Sequence, residues 1–180
     1  MMTGTILEQK ISTGTRLGSM LLDHMIMGFA AGLFLVPSIA VSIYSSFKEG
    51  GVMFEDGPGG LVYLSYLGFA IYLAKDCVQG RSPAKRLLEL QVVKNSTGEP
   101  ASPVRCVLRN FLCFLWPIEV LAALINPERK VGDYVAGTRL APFNKNHASN
   151  KIDFWQIALA LALAYGFTYI FMYPFSQLPY

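Results

Sequence analysis

Asp23 stands inside "TGTRLGSMLLDHMIMGFAAG" (residues 13–32), where nearly every neighbour is apolar. A carboxylate at the centre of a bilayer helix costs about 3 kcal/mol to insert, so such residues usually face a protein interior and mark a site. On a helix, residues 16, 19, 20, 23, 27 and 30 fall on one side, which gives Arg16, Ser19 and Asp23 a common polar stripe. Arg16 and Asp23 are separated by about 10 Å along the axis. A direct pair needs Arg16 to reach down; water or a cation from another helix is the alternative bridge. Two chemistries fit: a proton, cation or ligand site, or a buried ion pair that fixes helix packing. His24 lies about 100° around the helix from Asp23. Its imidazole has the intrinsic range of a neutral-pH titrating group, although a lone helical histidine is more often a packing residue.

Glu119 is a second acid in an apolar stretch, directly after Trp116-Pro117-Ile118. A helix broken at Pro117 frees backbone groups beside that carboxylate. Such breaks are tolerated at membrane depth only against protein or a water-filled cavity, and transporters place sites there. The structural alternative pairs Glu119 with Arg109 or Arg105. Gly28 and Gly32 in "GFAAG" form a small-x-x-x-small pair suited to close helix packing within the chain, with a homodimer seam as competitor. "GRSPAKR" (80–86) is read as a basic surface patch, with Lys85 and Arg86 directed to lipid headgroups. The chain lacks G-x-S-x-G, H-E-x-x-H and a phosphate-binding glycine loop, so neither an enzyme nor a cofactor is expected. Cys77, Cys106 and Cys113 have no metal-ligand spacing; they read as small buried apolar side chains, with no metal or disulfide.

These residues are carried by a chain of 180 residues, 53% hydrophobic and 15% charged. Soluble domains carry about 25% charged residues, so the lipid bilayer is the expected environment. Residues 57–74 and 154–173 contain no charged side chain, and each is close to the roughly 20 apolar residues that cross a bilayer. Four candidate membrane segments follow: 17–45 with a bend at Pro37, 58–75, 106–126 and 154–174. The expected architecture is an all-α membrane protein of three to four transmembrane helices. Residues 76–105 are expected to add a short helix and a β-hairpin on the cytoplasmic face. The net charge of +3 is too small and scattered for nucleic acid.

Lysine and arginine bias sets orientation. The 46–57 loop has Lys48 against Glu49, Glu55 and Asp56, whereas 75–109 holds Lys75, Arg81, Lys85, Arg86, Lys94, Arg105 and Arg109. This places the N-terminus and 75–109 in the cytoplasm. Residues 127–153 are also basic (Arg129, Lys130, Arg139, Lys145, Lys151), so a fully crossing third segment conflicts with the rule. A re-entrant pair of half-helices split at Pro117 resolves the conflict; a kinked full span is the competitor.

The motifs in this order resemble the RDD family of bacterial membrane proteins over most of residues 10–142. "TRLGSMLLD" is similar to the family's arginine and first aspartate, "GRSPAKRLLELQVVKNSTGEP" to its middle stretch, and "LRNFLCFLWPIEVLAALINPERKVGDYVAGTRL" to its R-N…G-D-x-x-A-G-T ending. Asp133 then corresponds to the second aspartate. The family pattern has glycine where this chain has Ala84 and Glu89. On this resemblance residues 1–142 form the membrane domain, and 143–180 a linker with an added C-terminal helix. The resemblance implies a multi-pass protein of the cytoplasmic (inner) membrane, with transport suggested for the family. Arg16, Asp23, Arg109, Glu119 and Asp133 are expected to converge into one polar cluster. It would serve ion or solute transport or, as the alternative, a non-catalytic subunit of a larger membrane complex; a homo-oligomer fits either.

Overall fold

The computed structural model describes residues 11–48, 59–144 and 153–176. The acidic residues Glu49, Glu55 and Asp56 of the loop after the first segment, and Lys145 and Lys151, lie outside the described residues.

Helix α1 (Thr13–Leu33) opens on Ser12, whose hydroxyl accepts from the Thr15 amide at 3.0 Å, satisfying one of the amides left free at a helix start. Its buried residues are Arg16, Ser19, Asp23, Met27 and Ala31, while Leu21, Met25, Phe29 and Leu33 lie exposed on the other side, Phe29 at 73%. The helix is inverted relative to a soluble one: charge faces in and apolar surface faces out. Burial of this sign is stable where the surroundings are lipid. α1 gives way at Phe34–Leu35, and α2 (Val36–Lys48) leaves at 46°. Pro37 has no N–H to donate to the preceding turn, so the ladder fails just ahead of it, as expected.

The second apolar segment is shorter than the sequence suggests. After a 3-10 turn at Gly59–Leu61, α3 (Val62–Leu73) has 12 residues, about 18 Å at 1.5 Å per residue. α3 packs closely on α1 at Gly68, where a Cβ would lie 2.7 Å from the Ala31 carbonyl oxygen. Gly28 and Gly32, by contrast, have open space where a Cβ would stand. The small residue that admits the neighbouring helix is on α3, and the expected packing role of Gly28 and Gly32 within the chain is not realised among the described residues.

Residues 74–80 turn back, and Gly80 (φ +68) lies against the Val92 backbone, 2.4 Å from where its Cβ would be. Ser82 then caps the short α4 (Pro83–Leu87), with proline at its first turn. Glu89 (φ 51) adopts a left-handed conformation that bulky residues avoid, and strand β1 (Leu90–Lys94) follows. The expected helix is present, but the hairpin is not local. Across its turn β1 makes only a single bridge, Val93 to Pro100. Its ladder partner is β2 (Thr138–Pro142), antiparallel with Val92 opposite Leu140. The two strands thus bring together the polar stretches before and after the third apolar segment.

That segment is broken. α5 (Pro103–Asn110) runs into a 3-10 stretch, Phe111–Leu115, and α6 (Trp116–Ile125) departs at 108° with Pro117 in its first turn. α7 (Val131–Ala136) packs against α5 and leads into β2. α8 (Phe154–Ser176) lies on α3 and α5 through Ala160, Ala164 and Thr168, all fully buried at helical spacing. Phe167 of α8 stacks on Phe111 at 4.2 Å. Cys77 and Cys106 are buried in the same core, as small apolar residues would be. Among the described residues one helix, Phe154–Pro174, is by length and composition able to cross a membrane, or up to three spans if each bent pair counts as one.

Candidate functional site

Helices α1, α4, α5, α6 and α7, strand β2 and the turn after α3 each send at least one polar side chain to a single buried focus. α1 contributes Arg16 and Asp23, the turn after α3 contributes Asp76, and α4 contributes Lys85. Arg109 and Asn110 come from the end of α5 and Glu119 from the first turn of α6. Lys130 and Asp133 come from the start of α7, and Thr138 opens β2. None of the eight charged residues is more than 8% exposed. Four are cationic and four anionic, so the focus carries no net charge.

The contacts form an alternating chain. Arg16 Nη2 donates to Asp133 Oδ2 at 3.1 Å. Asp133 also holds Arg109, whose Nη2 donates to Oδ2 at 3.2 Å while Nε lies 2.9 Å from Oδ1 as an ion contact. Arg109 Nη1 continues to Asp76 Oδ2 at 3.3 Å. Lys85 Nζ forms an ion pair with Asp76 Oδ1 at 2.9 Å and donates to Asp23 Oδ2. The sequence Arg16, Asp133, Arg109, Asp76, Lys85, Asp23 therefore leaves α1 and returns to it. The gap between Arg16 and Asp23 is bridged by cations and carboxylates from four other parts of the chain. A side branch joins Lys130 Nζ to Glu119 Oε2 at 2.7 Å. Glu119 Oε1 also accepts from the Gly132 amide at 2.8 Å, which leaves Arg105 to bond the Ala136 carbonyl instead.

Neutral donors complete the acids. Thr138 Oγ1 donates to Asp133 Oδ1 at 2.6 Å, and the Lys130 amide donates to Asp133 Oδ2 at 3.1 Å. Asn110 Nδ2 reaches both Asp76 and the Leu73 carbonyl at the end of α3. Burial opposes the charged form of Asp133, but Arg109, then Arg16 and Lys130, outweigh it and hold the carboxyl at about 2. Asp76 is likewise held well below the ordinary range, with Lys85 and Arg109 overcoming burial. For Lys130, burial and then Arg109 prevail over Glu119 and Asp133, lowering its ammonium to about 8.

Asp76 Oδ1 and Glu119 Oε2 lack a hydrogen bond but face Lys85 and Lys130 in ion pairs, so one carboxylate oxygen of the network is left with neither. Among the described residues the Oδ1 of Asp23, 2% exposed, has no hydrogen-bond partner. It borders a cavity of about 30 Å³ that Lys85, Asp76, Tyr72, Trp116 and Glu119 also line, enough volume for about one water or a small ion. Among the described residues no cluster of three or more His, Cys, Asp or Glu side chains is arranged to hold a metal ion.

The five residues singled out from the sequence thus meet at one place. Lys85, assigned there to lipid headgroups, instead points inward between Asp23 and Asp76, because α4 lies against α1. Arg86 is exposed and donates to the Val78 carbonyl. Asp76, Asn110 and Lys130 were not singled out. A family model matches residues 11–177. The chain belongs to the RDD family. The match takes in α8, which the motif resemblance over 10–142 had left as an addition. Comparison with curated proteins and with solved structures returned no match. The apolar outer faces of this RDD protein and its membrane-length helix make it a membrane protein.

Proposed function

We propose that this RDD-family protein carries a proton or a small cation across the membrane, in proton- or sodium-linked exchange, with Asp23 as the exchanging carboxylate. The observation that carries this reading is the unpartnered Oδ1 of Asp23 at the cavity, opposite an oxygen held by Lys85. Lys85 is shared with Asp76. When a proton or cation occupies Asp23, the ammonium keeps a carboxylate partner and no stranded charge results, which in a low-dielectric interior would be costly. Few segments surround the site, so the reading includes an oligomer that encloses the path. Flux in proteoliposomes tests it: Asp23→Asn abolishes pH- or sodium-driven flux, and unchanged flux rejects the mechanism.

The same proposal takes residues 103–125 as a re-entrant pair, with the N-terminus and both basic stretches on the cytoplasmic side of the inner membrane. Pairing of β1 with β2, which flank that segment, and the 108° break support this. A cysteine placed at Asn144 should resist impermeant reagents from outside; labelling there sinks the topology. A second reading, a non-catalytic subunit of a larger complex, draws on the charge balance of the network, which suits a clasp. Under it Asp23→Asn lowers folded yield while flux is absent in the parent, and a stoichiometric partner co-purifies.

A further inference from the structure

Next to Asp23 in sequence, and on a different side of α1, is a group the network does not use. His24 is exposed, and its Nδ1 lies 3.0 Å from the Tyr72 hydroxyl. The two rings meet edge to face at 6.0 Å, and Trp116 flanks the imidazole at 6.0 Å. Tyr72 lines the same cavity as the unpartnered Asp23 Oδ1. The phenol thus touches an exposed imidazole on one side and the cavity of a buried carboxylate on the other. A hydroxyl that both accepts and donates joins two such groups in a proton wire.

We propose that His24 and Tyr72 form the proton entry to Asp23. This rests on the reading of Asp23 as the exchanging carboxylate. With the Nδ1–H tautomer, His24 donates to Tyr72 and leaves Nε2 bare. A proton arriving at Nε2 makes the imidazolium. The Nδ1–H bond then breaks as the Tyr72 oxygen takes that proton, while the original Tyr72 O–H proton leaves for Asp23 Oδ1, directly or through one water in the cavity. His24 ends as the Nε2–H tautomer, Tyr72 as a phenol and Asp23 as a neutral acid; the reverse sequence discharges it. The groups facing this path are Arg16 and Asp23 on α1, Lys75 and Asp76 after α3, Lys85 on α4, Arg109 on α5, Cys113 and Glu119 about the α5–α6 break, and Lys130 before α7. Lys75 sits 4.4 Å from the centre of the Tyr72 ring, a cation–π contact that helps hold the phenol beside the cavity. Neutralising Asp23 loosens its hold on Lys85, which Asp76 retains.

The wire changes how fast Asp23 is protonated rather than how far. The test is a pH jump on the full chain in lipid, read by the infrared carbonyl band that Asp23→Asn removes. Tyr72→Phe and His24→Gln are expected to slow that band roughly a hundredfold, the contribution of a positioned proton-transfer group, with the final amplitude unchanged. Parent-like rates in both variants overturn the relay, as does the lack of any Asp23 band. Tyr72→Phe keeps the ring, and its folded yield is read alongside. Flux separates the two readings: slowed protonation in a parent that shows no flux keeps the relay and removes transport. Flux with parent-like protonation rates keeps transport and removes the relay.

Discussion

Replacing Gly132 by alanine tests the architecture of the network at its tightest point. The Cβ would stand 1.9 Å from the Arg109 carbonyl oxygen and 2.9 Å from its carbonyl carbon. Ordinary contact begins near 3.4 Å, so α7 and α5 must separate by roughly 1.5 Å, and neither atom belongs to a flexible side chain that could swing away. Overpacking of this kind costs about 1–3 kcal/mol. The same displacement pulls apart the Arg109–Asp133 ion pair, whose contacts are now 2.9 and 3.2 Å. Loss of a buried pair costs about 3–5 kcal/mol when complete, and here it is partial. A total of about 2–5 kcal/mol follows, a fall of roughly 5–15 °C in the unfolding midpoint at the usual conversion for chains of this size. Size-exclusion chromatography of the detergent-solubilised protein after heating measures it. Gly28→Ala and Gly32→Ala, with open space at both positions, serve as controls and should stay near the parent. A Gly132→Ala protein as stable as these controls would refute the close approach of α7 to α5.

Three further outcomes follow from the same contacts. Asp133→Asn removes the ion-pair partner of Arg16 and half-strips Arg109, so it should cost about 3–5 kcal/mol; Asp23→Asn leaves Lys85 on Asp76 and should cost less, roughly 1–3 kcal/mol. The heating assay ranks them, the reverse order would count against the alternating chain, and a compensating change for Asp23→Asn belongs at Lys85 rather than Arg16. Asp133 titrates at about 2, below its ordinary 3.8, so its contribution is fully present above about pH 4 and is lost as pH falls through 2. That contribution is about 2 kcal/mol, and acid unfolding of Asp133→Asn should lack it. Glu89→Gly relieves a left-handed residue (φ 51) and should stabilise the chain by about 0.5–1 kcal/mol, the strain relieved less the entropy glycine adds to the unfolded chain.

The inward face of α1 was legible because a helix repeats: Arg16, Ser19 and Asp23 had to share a side. The break at Pro117 was legible because proline cannot continue a ladder. Asp76 was harder to find. It directly follows Lys75 at the end of an uncharged run, where an acid reads as an ordinary loop charge. Lys85 was misassigned since its neighbours in "SPAKR" are basic and polar, and only the capped turn at Ser82 aims its stem inward while Arg86 points out. The β1–β2 pairing was out of reach for a different reason. Two five-residue strands separated by three helices carry no local signal of partnership, and "NSTGEP" advertises a nearby turn instead. Glu89 shows the opposite case: the family pattern has glycine there, and the left-handed backbone supplies the physical reason.

The spread of the alternating chain along the sequence also has a consequence for biogenesis. Asp23 meets Lys85 only after 62 further residues are made, and Arg16 meets Asp133 after 117. At about 5–20 residues per second of synthesis, the second interval lasts roughly 6–23 s. The first helix enters the insertion machinery with an arginine and an aspartate whose final partners do not yet exist; Asp23 gains Lys85 part-way, while Arg16 waits through the whole interval. Its settled place in lipid is fixed late, when α7 arrives and supplies the one carboxylate that Arg16 and Arg109 share.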